Sequence, residues 1–250
     1  MDWSDQGIVL SARRHGESSL VAQVFTREHG RHAGLARGGA GARARGLYQP
    51  GNLVAARWRG RLAEHLGSYV CELTRANAAA VIDDPARLAC LASVCSLAEA
   101  ALPERHPYPA LFDATRALAG LLATAPDWAG AYVRWELGLL DELGYGLDLA
   151  ACAATGARHD LIYVSPRTGR AVGAEAGAPY AERLLALPPF LTGKGGAASA
   201  TDVAAGLRLT GYFIERRLFA PHDRQAPPAR ERFVGRILRA TTISGGIKGS

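Results

Sequence analysis

Asn52-Leu53-Val54-Ala55-Ala56-Arg57-Trp58-Arg59-Gly60-Arg61 is the stretch on which the fold turns. From Arg57 onward arginine recurs at every second residue, across Trp58 and Gly60. Period two on a strand sends side chains to alternate faces. The three arginines then share one face, and Trp58 takes the other, where it reads as core rather than as a base-stacking platform. Pro50-Gly51 marks a turn just before the stretch. Working outward, residues 7–12, 20–26, 32–37 and 66–74 are short β-branched or apolar runs. His15-Gly16-Glu17-Ser18 and Glu28-His29-Gly30-Arg31 break them as turns. Five short strands within about 75 residues fit a small closed Greek-key barrel of the OB type, and an SH3-like barrel fits the same pattern. Phe25 and Tyr48 read as inward-packing aromatics. His29 and His32, three apart at a turn, read as solvent-exposed, and residues 38–46 as a Gly/Ala/Arg loop with too little apolar mass to pack.

From Ala78 the texture changes to Ala/Leu-rich helical runs. Residues 85–102 follow Asp83-Asp84, which suit a helix N-terminus, and 109–124 form a second run. In 127–143, Trp128, Tyr132, Trp135, Leu139 and Leu143 recur at helical spacing until Gly144 stops them. Residues 147–179 are irregular, with a short hairpin over 161–165 and 169–173. Residues 180–187 and 201–219 read as helical, 230–240 as a last basic helix, and the Gly-rich end 245–250 as frayed. The expected class is α+β: an OB-type barrel domain over 1–77, then a helical domain over 78–250 with an irregular insert at about 147–179.

The net charge of +6 is unevenly laid out. Residues 1–80 carry eleven arginines against six acids, 81–207 nine bases against fourteen acids, and 208–250 nine bases against three acids. Two basic ends flanking an acidic middle suit a polyanion bound at the ends. Only Lys194 and Lys248 among the 29 basic residues are lysine. Arginine suits phosphate and base stacking, although a genome biased toward Arg and Ala codons accounts for most of that ratio. No apolar run approaches the roughly 20 residues of a membrane helix. Residues 1–6 are polar and acidic, so no secretory signal is read there and a cytoplasmic location is expected. Cys71, Cys90, Cys95 and Cys152 lack paired spacing and read as reduced thiols.

Catalytic signatures are missing from the sequence. Gly193-Lys194-Gly195-Gly196 resembles part of a phosphate loop but lacks the leading glycine and the following Ser/Thr, and reads as a linker. Helical His-Glu-x-x-His, Gly-x-Ser-x-Gly and dinucleotide patterns do not occur. Asp141-Glu142 and Asp148 fit the charged outer face of a helix and its end. A non-enzyme without a cofactor is expected.

Several segments in order resemble the RecO family of bacterial recombination-repair proteins. They are Gly7-Ile8-Val9-Leu10, His15-Gly16-Glu17-Ser18, Phe25-Thr26-Arg27-Glu28-His29-Gly30, Leu47-Tyr48-Gln49-Pro50-Gly51 and Tyr69-Val70-Cys71-Glu72-Leu73. Arg134-Trp135-Glu136-Leu137, Leu143-Gly144-Tyr145-Gly146-Leu147-Asp148-Leu149 with Cys152-Ala153, and Tyr163-Val164-Ser165-Pro166 continue the likeness to about residue 217. The resemblance implies an OB-fold, a helical bundle and a zinc-ribbon-like insert. It also implies binding of single- and double-stranded DNA, strand annealing, and help from RecR in loading RecA onto DNA coated by single-stranded-DNA-binding protein, whose acidic C-terminal tail such proteins dock. Zinc-bearing relatives carry two Cys-x-x-Cys pairs, whereas here the places read Cys152 with Thr155, then Gly173 with Ala176. One thiolate cannot hold tetrahedral zinc, so no metal is expected.

Candidate DNA contacts are Arg57, Arg59 and Arg61 on the strand face with Arg37, Arg43 and Arg45 on the neighbouring loop. Arg230, Arg232, Arg236 and Arg239 form a second basic surface. A solvated strand face is the plain alternative for the first group. Arg134, beside Trp128, Tyr132 and Trp135, is the candidate for the partner's acidic tail, with an ordinary helix-surface arginine as the alternative. A protein-interaction adaptor whose basic ends bind acidic partners is the rival reading of the whole chain.

Overall fold

A computed structural model of the chain describes residues 1–62, 65–193 and 197–246. The linker reading of residues 194–196 and the tail from 247 onward lie outside the described residues. Two compact units divide the chain: Met1–Ala125 with Pro227–Phe233, and Pro126–Ala226 with Val234–Ser250. The first two long helices thus share a unit with the barrel.

In the first unit, β1 (Asp2–His15), β2 (Ser19–Thr26), β3 (Gly30–Ala36), β4 (Leu53–Arg59) and β5 (Ser68–Arg75) close into a barrel in the order β1-β2-β3-β5-β4. A short helical turn, α1 (Ala42–Arg45), lies between β3 and β4. All pairings are antiparallel except β3 with β5, which meet in parallel through Leu35 and Ser68. That parallel closure is what the Greek-key path of an OB barrel produces, and it decides between the two barrels that the strand count allows.

β1 extends well beyond the expected residues 7–12. Asp2 to Ile8 pair with β4, and Gly7 to His15 pair with β2. The strand bends where it changes neighbours. A Cβ at Gly7 would lie 2.4 Å from Val24 Cγ1, so only glycine permits this approach. A register shift between Val9 and Ser11 adds the bulge that curls the strand. Val9, Val24, Val54, Trp58 and Tyr69 fill the interior. Trp58 is fully buried, as its alternation predicts, and its indole N–H donates to the carbonyls of Ala33 and Leu66. Phe25 and Tyr48 are also buried. The histidine expectation fails for His32, which is enclosed in the barrel; His29 stays partly exposed but stacks on Trp3. The long β1 supplies the neighbouring ring that the turn sequence does not reveal.

α2 (Asn77–Ala80), α3 (Pro85–Ala101) and α4 (Pro109–Thr124) follow. Asp84 caps α3, its side chain accepting from the N–H groups of Ala86 and Arg87, with Pro85 at the first helical position. The helices dock on the barrel through a Phe25–Phe112 edge-to-face pair and a hydrogen bond from Ser11 Oγ to Glu99. Arg27 joins Asp113 across the same unit at 3.0 Å. Gly30, at φ +68°, packs so closely that a Cβ would lie 2.0 Å from the carbonyl oxygen of His106.

The second unit holds α5 (Trp128–Glu142), then the insert: β6 (Leu161–Val164), β7 (Ala171–Gly173), the short α6 (Ala174–Gly177) and β8 (Leu185–Ala186). The strands form a three-stranded sheet in the order β7-β6-β8, which contains the expected hairpin. The helix expected over 180–187 is replaced by a 3-10 turn, Ala178–Arg183, and β8. Leu187 N–H bonds to Ile162 carbonyl as part of that sheet edge, a tertiary partner that local propensity cannot anticipate. α7 (Ala200–Phe213) starts on a Ser199/Asp202 capping box and continues as a π-helical stretch, Ile214–Phe219. Buried Glu136 on α5 accepts hydrogen bonds from Tyr132 and from Thr210 of α7. The last helix, α8 (Pro228–Gly246), gives its first turns to the first unit and the remainder to the second. No helix among the described residues is long and apolar enough to cross a membrane.

Candidate nucleic-acid interface

The segment between β3 and β4 is the first part of the site, and it differs from the unpacked loop that its composition suggests. Gly38, at φ +71°, turns the chain, Ala40 N–H donates to the Ser18 carbonyl at 3.0 Å, and α1 follows. Ala40, Ala44 and Leu47 pack against the barrel core beside buried Tyr48. Asn52 closes the segment by donating to the carbonyls of Gly46 and Leu47. Two alanine methyls, Leu47 and one buried amide thus hold the segment, although residues 38–46 themselves carry no large apolar side chain.

A cleft of about 280 Å³ opens between this segment and the β1–β2 turn, lined among others by Arg14, Leu20, Gly39, Arg45, Tyr48 and Gln49. Arg45 is exposed beside it on α1. Arg14 enters from the end of β1, and sequence reasoning missed it because the expected strand stopped at residue 12. Its guanidinium also donates to the Glu17 carbonyl at 3.3 Å. Exposed Arg37 directly follows Ala36, and Ala36, Leu20 and Arg14 are aligned across β3, β2 and β1. Arg14 and Arg37 therefore stand roughly two strand spacings, about 10 Å, apart at the backbone. The side chain of Arg43 lies outside the described residues.

Arg57 and Arg59 share the outer face of β4, as the alternation predicts, but the strand ends at Arg59 and Arg61 stands on the following bend. Arg57 is engaged by Asp2 of β1 in a two-bonded ion pair, which holds the Asp2 carboxyl below its usual range. The row of cations is therefore partly neutralised by the polar start of β1.

On α8, Arg232, Arg236 and Arg239 are exposed at spacings of four and three, which puts them on one helix face. Arg230 is buried at 8% exposure and so separates from that face. Arg134 is exposed on α5, with its guanidinium 5.0 Å from the Phe190 ring centroid. Tyr132 and Trp135 are buried and turned away from any ligand surface.

The insert's donor set does not fit tetrahedral zinc. Cys152 Sγ accepts the N–H of Gly173 at 3.3 Å, and hydrogen bonds, that of Thr155 first, lower its thiol to about 7. The remaining places offer Thr155, Gly173 and Ala176 in place of thiolates. Among the described residues no group of three or more His, Cys, Asp or Glu is arranged to hold a metal.

Barrel topology, an arginine-lined cleft on its connecting loops and an appended helical region define an OB-barrel protein of α+β class. Family models agree with that architecture: Recombination protein O N terminal matches residues 1–76, and Recombination protein O C terminal matches 82–226. The chain is 57% identical over 247 residues to DNA repair protein RecO of Rhodospirillum centenum, covering 98% of each chain. It is 53% identical over 245 residues to that of Rhodospirillum rubrum, covering 96% of this chain and 97% of the other. The chain belongs to the RecO family of DNA repair proteins.

Proposed function

We propose that the chain is a non-catalytic, cytoplasmic recombination mediator. It binds single- and double-stranded DNA, anneals complementary strands and, with RecR, helps load RecA onto DNA coated by single-stranded-DNA-binding protein. The observation that carries this reading is the cleft holding Arg14 and Arg45, because both guanidiniums are presented from tied elements of the barrel. Two DNA strands repel each other until cations screen them. The barrel cleft and the α8 face of Arg232, Arg236 and Arg239 supply two basic surfaces for two strands. Arg134, with Phe190 beneath it, is the proposed contact for the acidic tail of the binding protein.

The test is an annealing assay with complementary oligonucleotides, run with and without tail-bearing binding protein. Arg14→Ala with Arg45→Ala is expected to slow annealing and flatten the salt dependence of single-strand binding by about 0.7 in log–log slope per lost phosphate contact. Unchanged slope and rate remove the cleft from the DNA path. Indifference of the unaltered chain to oligonucleotide at moderate salt favours the adaptor reading instead.

A further inference from the structure

A second cleft of the barrel unit, about 480 Å³, shares no lining residue with the first. Trp3, His29, His32, Trp58 and Arg105 line it. Its size lies in the range of roughly 300–1,000 Å³ typical of ligand pockets. Trp3 stacks on His29 at 4.1 Å with 6° between the planes, and on Trp58 at 5.7 Å with 15°. His32 meets Trp3 edge-on at 5.4 Å. The result is a ladder of near-parallel rings that begins at fully buried Trp58 and ends at partly exposed His29.

The ladder is held from several sides. Trp3 faces Trp58 in the β1–β4 register, the Trp58 indole N–H is anchored on Ala33 and Leu66, and His29 Nδ1 lies 3.2 Å from Asp5 Oδ2. Covering Trp58 requires only an apolar side chain at position 3. Trp3 lies between Trp58 and His29, so the π face left to the cleft is that of partly exposed His29 at the end of the ladder, and such faces stack on bases of any sequence.

Polar groups fit the same ligand. His32 Nδ1 lies 3.0 Å from the Ala33 carbonyl, which fixes its proton there and leaves Nε2 as an acceptor on a ring lining the cleft. Burial keeps this imidazole below its usual pKa, and so neutral. An exocyclic amine of a base can donate to that nitrogen. Arg105 brings a cation to the rim, its Nη2 3.9 Å from Glu104 Oε2 in a long, part-exposed ion pair that a phosphate must share. The rim acids Asp2 and Glu28 are engaged by Arg57 and Arg27.

We propose that this cleft seats an unpaired nucleobase of single-stranded DNA, stacked on His29 at the open end of the ladder that Trp3 backs, with its phosphate toward Arg105. The inference rests on the DNA-binding reading above and adds a base-dependent contact to a charge-dependent one. Trp3 and Arg14 are eleven residues apart on β1, about 35 Å of strand contour at most. One strand occupying the roughly 4–16 nucleotides an OB barrel holds can reach both clefts.

The experiment compares a short oligodeoxyadenylate with an abasic phosphodiester strand of equal length on the full chain. Fluorescence anisotropy reads affinity, and 2-aminopurine in the strand reads stacking. Trp3→Leu and His29→Ala are expected to weaken the base-bearing strand on the order of tenfold, leave the abasic strand and the salt slope unchanged, and abolish 2-aminopurine quenching. Trp3→Phe, which keeps a flat ring, is expected to retain most of the binding and controls for folding. Equal loss on both strands, or no loss, overturns the seat. Displacement of the strand by a tryptophan-containing peptide but not by adenosine monophosphate also overturns it, assigning the cleft to a protein side chain. If the unaltered chain binds neither strand, the DNA-binding reading fails; if it binds both equally, only the seat fails.

Discussion

Arg57 grips Asp2 diagonally across the β1–β4 pair, with Nη2 2.6 Å from Oδ2 and Nε 3.1 Å from Oδ1. The register sets Arg57 opposite Ser4 and Asp2 opposite Arg59, so one carboxylate stands between two guanidiniums. Asp2→Asn is expected to release Arg57, raising single-strand affinity at low salt and steepening the salt dependence by about 0.7 for each phosphate gained. Arg57→Ala with Arg59→Ala and Arg61→Ala should move the slope the other way. If neither variant changes it, the outer face of β4 lies off the DNA path.

Asp84→Ala removes the cap of α3 and should cost about 1 kcal/mol near neutral pH. Hydrogen bonds from the backbone, that of Arg87 first, hold the Asp84 carboxyl below its usual value. A carboxyl depressed in the folded state stabilises fully above its unfolded value, near 3.9, and loses that contribution as pH falls through the lower folded value. Urea titrations of both proteins should therefore converge below about pH 4. A gap that stays constant down to pH 2 contradicts the role of the ionised cap.

Gly30→Ala combines a left-handed backbone with a collision against the His106 backbone. A loss on the order of 3 kcal/mol is expected in urea unfolding. Gly16 also has positive φ, +66°, but open space around it, so Gly16→Ala should cost only about 1 kcal/mol. Similar losses at the two glycines would mean that the contact with the loop at His106 contributes little.

Thr210→Val keeps the shape of the side chain and removes one hydrogen bond to buried Glu136. A loss of about 1–3 kcal/mol is expected. Tyr132→Phe removes another bond to the same carboxylate, and the double variant should depart from additivity by more than about 0.5 kcal/mol. Strict additivity would show that the two hydroxyls do not share one carboxylate in solution.

With a single thiolate at the insert, extended dialysis against chelator should leave the melting temperature unchanged and no stoichiometric zinc in the protein. Stoichiometric metal surviving that treatment would mean that another ligand set holds it.

The strands around Trp58 were legible because one face of each is buried, which imposes period two on the sequence. The start of β1 was not. Asp2, Ser4 and Gln6 are exposed and polar, and their partners lie on β4 far along the chain. For the same reason the ring ladder was invisible: His29 and His32 look like turn residues until Trp3 is placed beside them. Arg57, Arg59, Arg232, Arg236 and Arg239 were located correctly as surface cations, since local periodicity fixes which way a side chain points. Whether a guanidinium already holds a carboxylate, as Arg57 does, or is enclosed, as Arg230 is, depends on tertiary neighbours that no local pattern encodes.

The division of β1 between two partners also sets an order of events in folding. Its second half meets β2 across the short turn after His15, a local hairpin with little loop entropy to overcome. Its first half must wait for residues 53–59, with closures running from Ile8–Leu53 to Asp2–Arg59. During synthesis residues 2–8 thus emerge well before the strand they pair with. Until β4 arrives, Trp3 and the unpaired backbone around it form an open strand edge, exposed to mispairing with a neighbour.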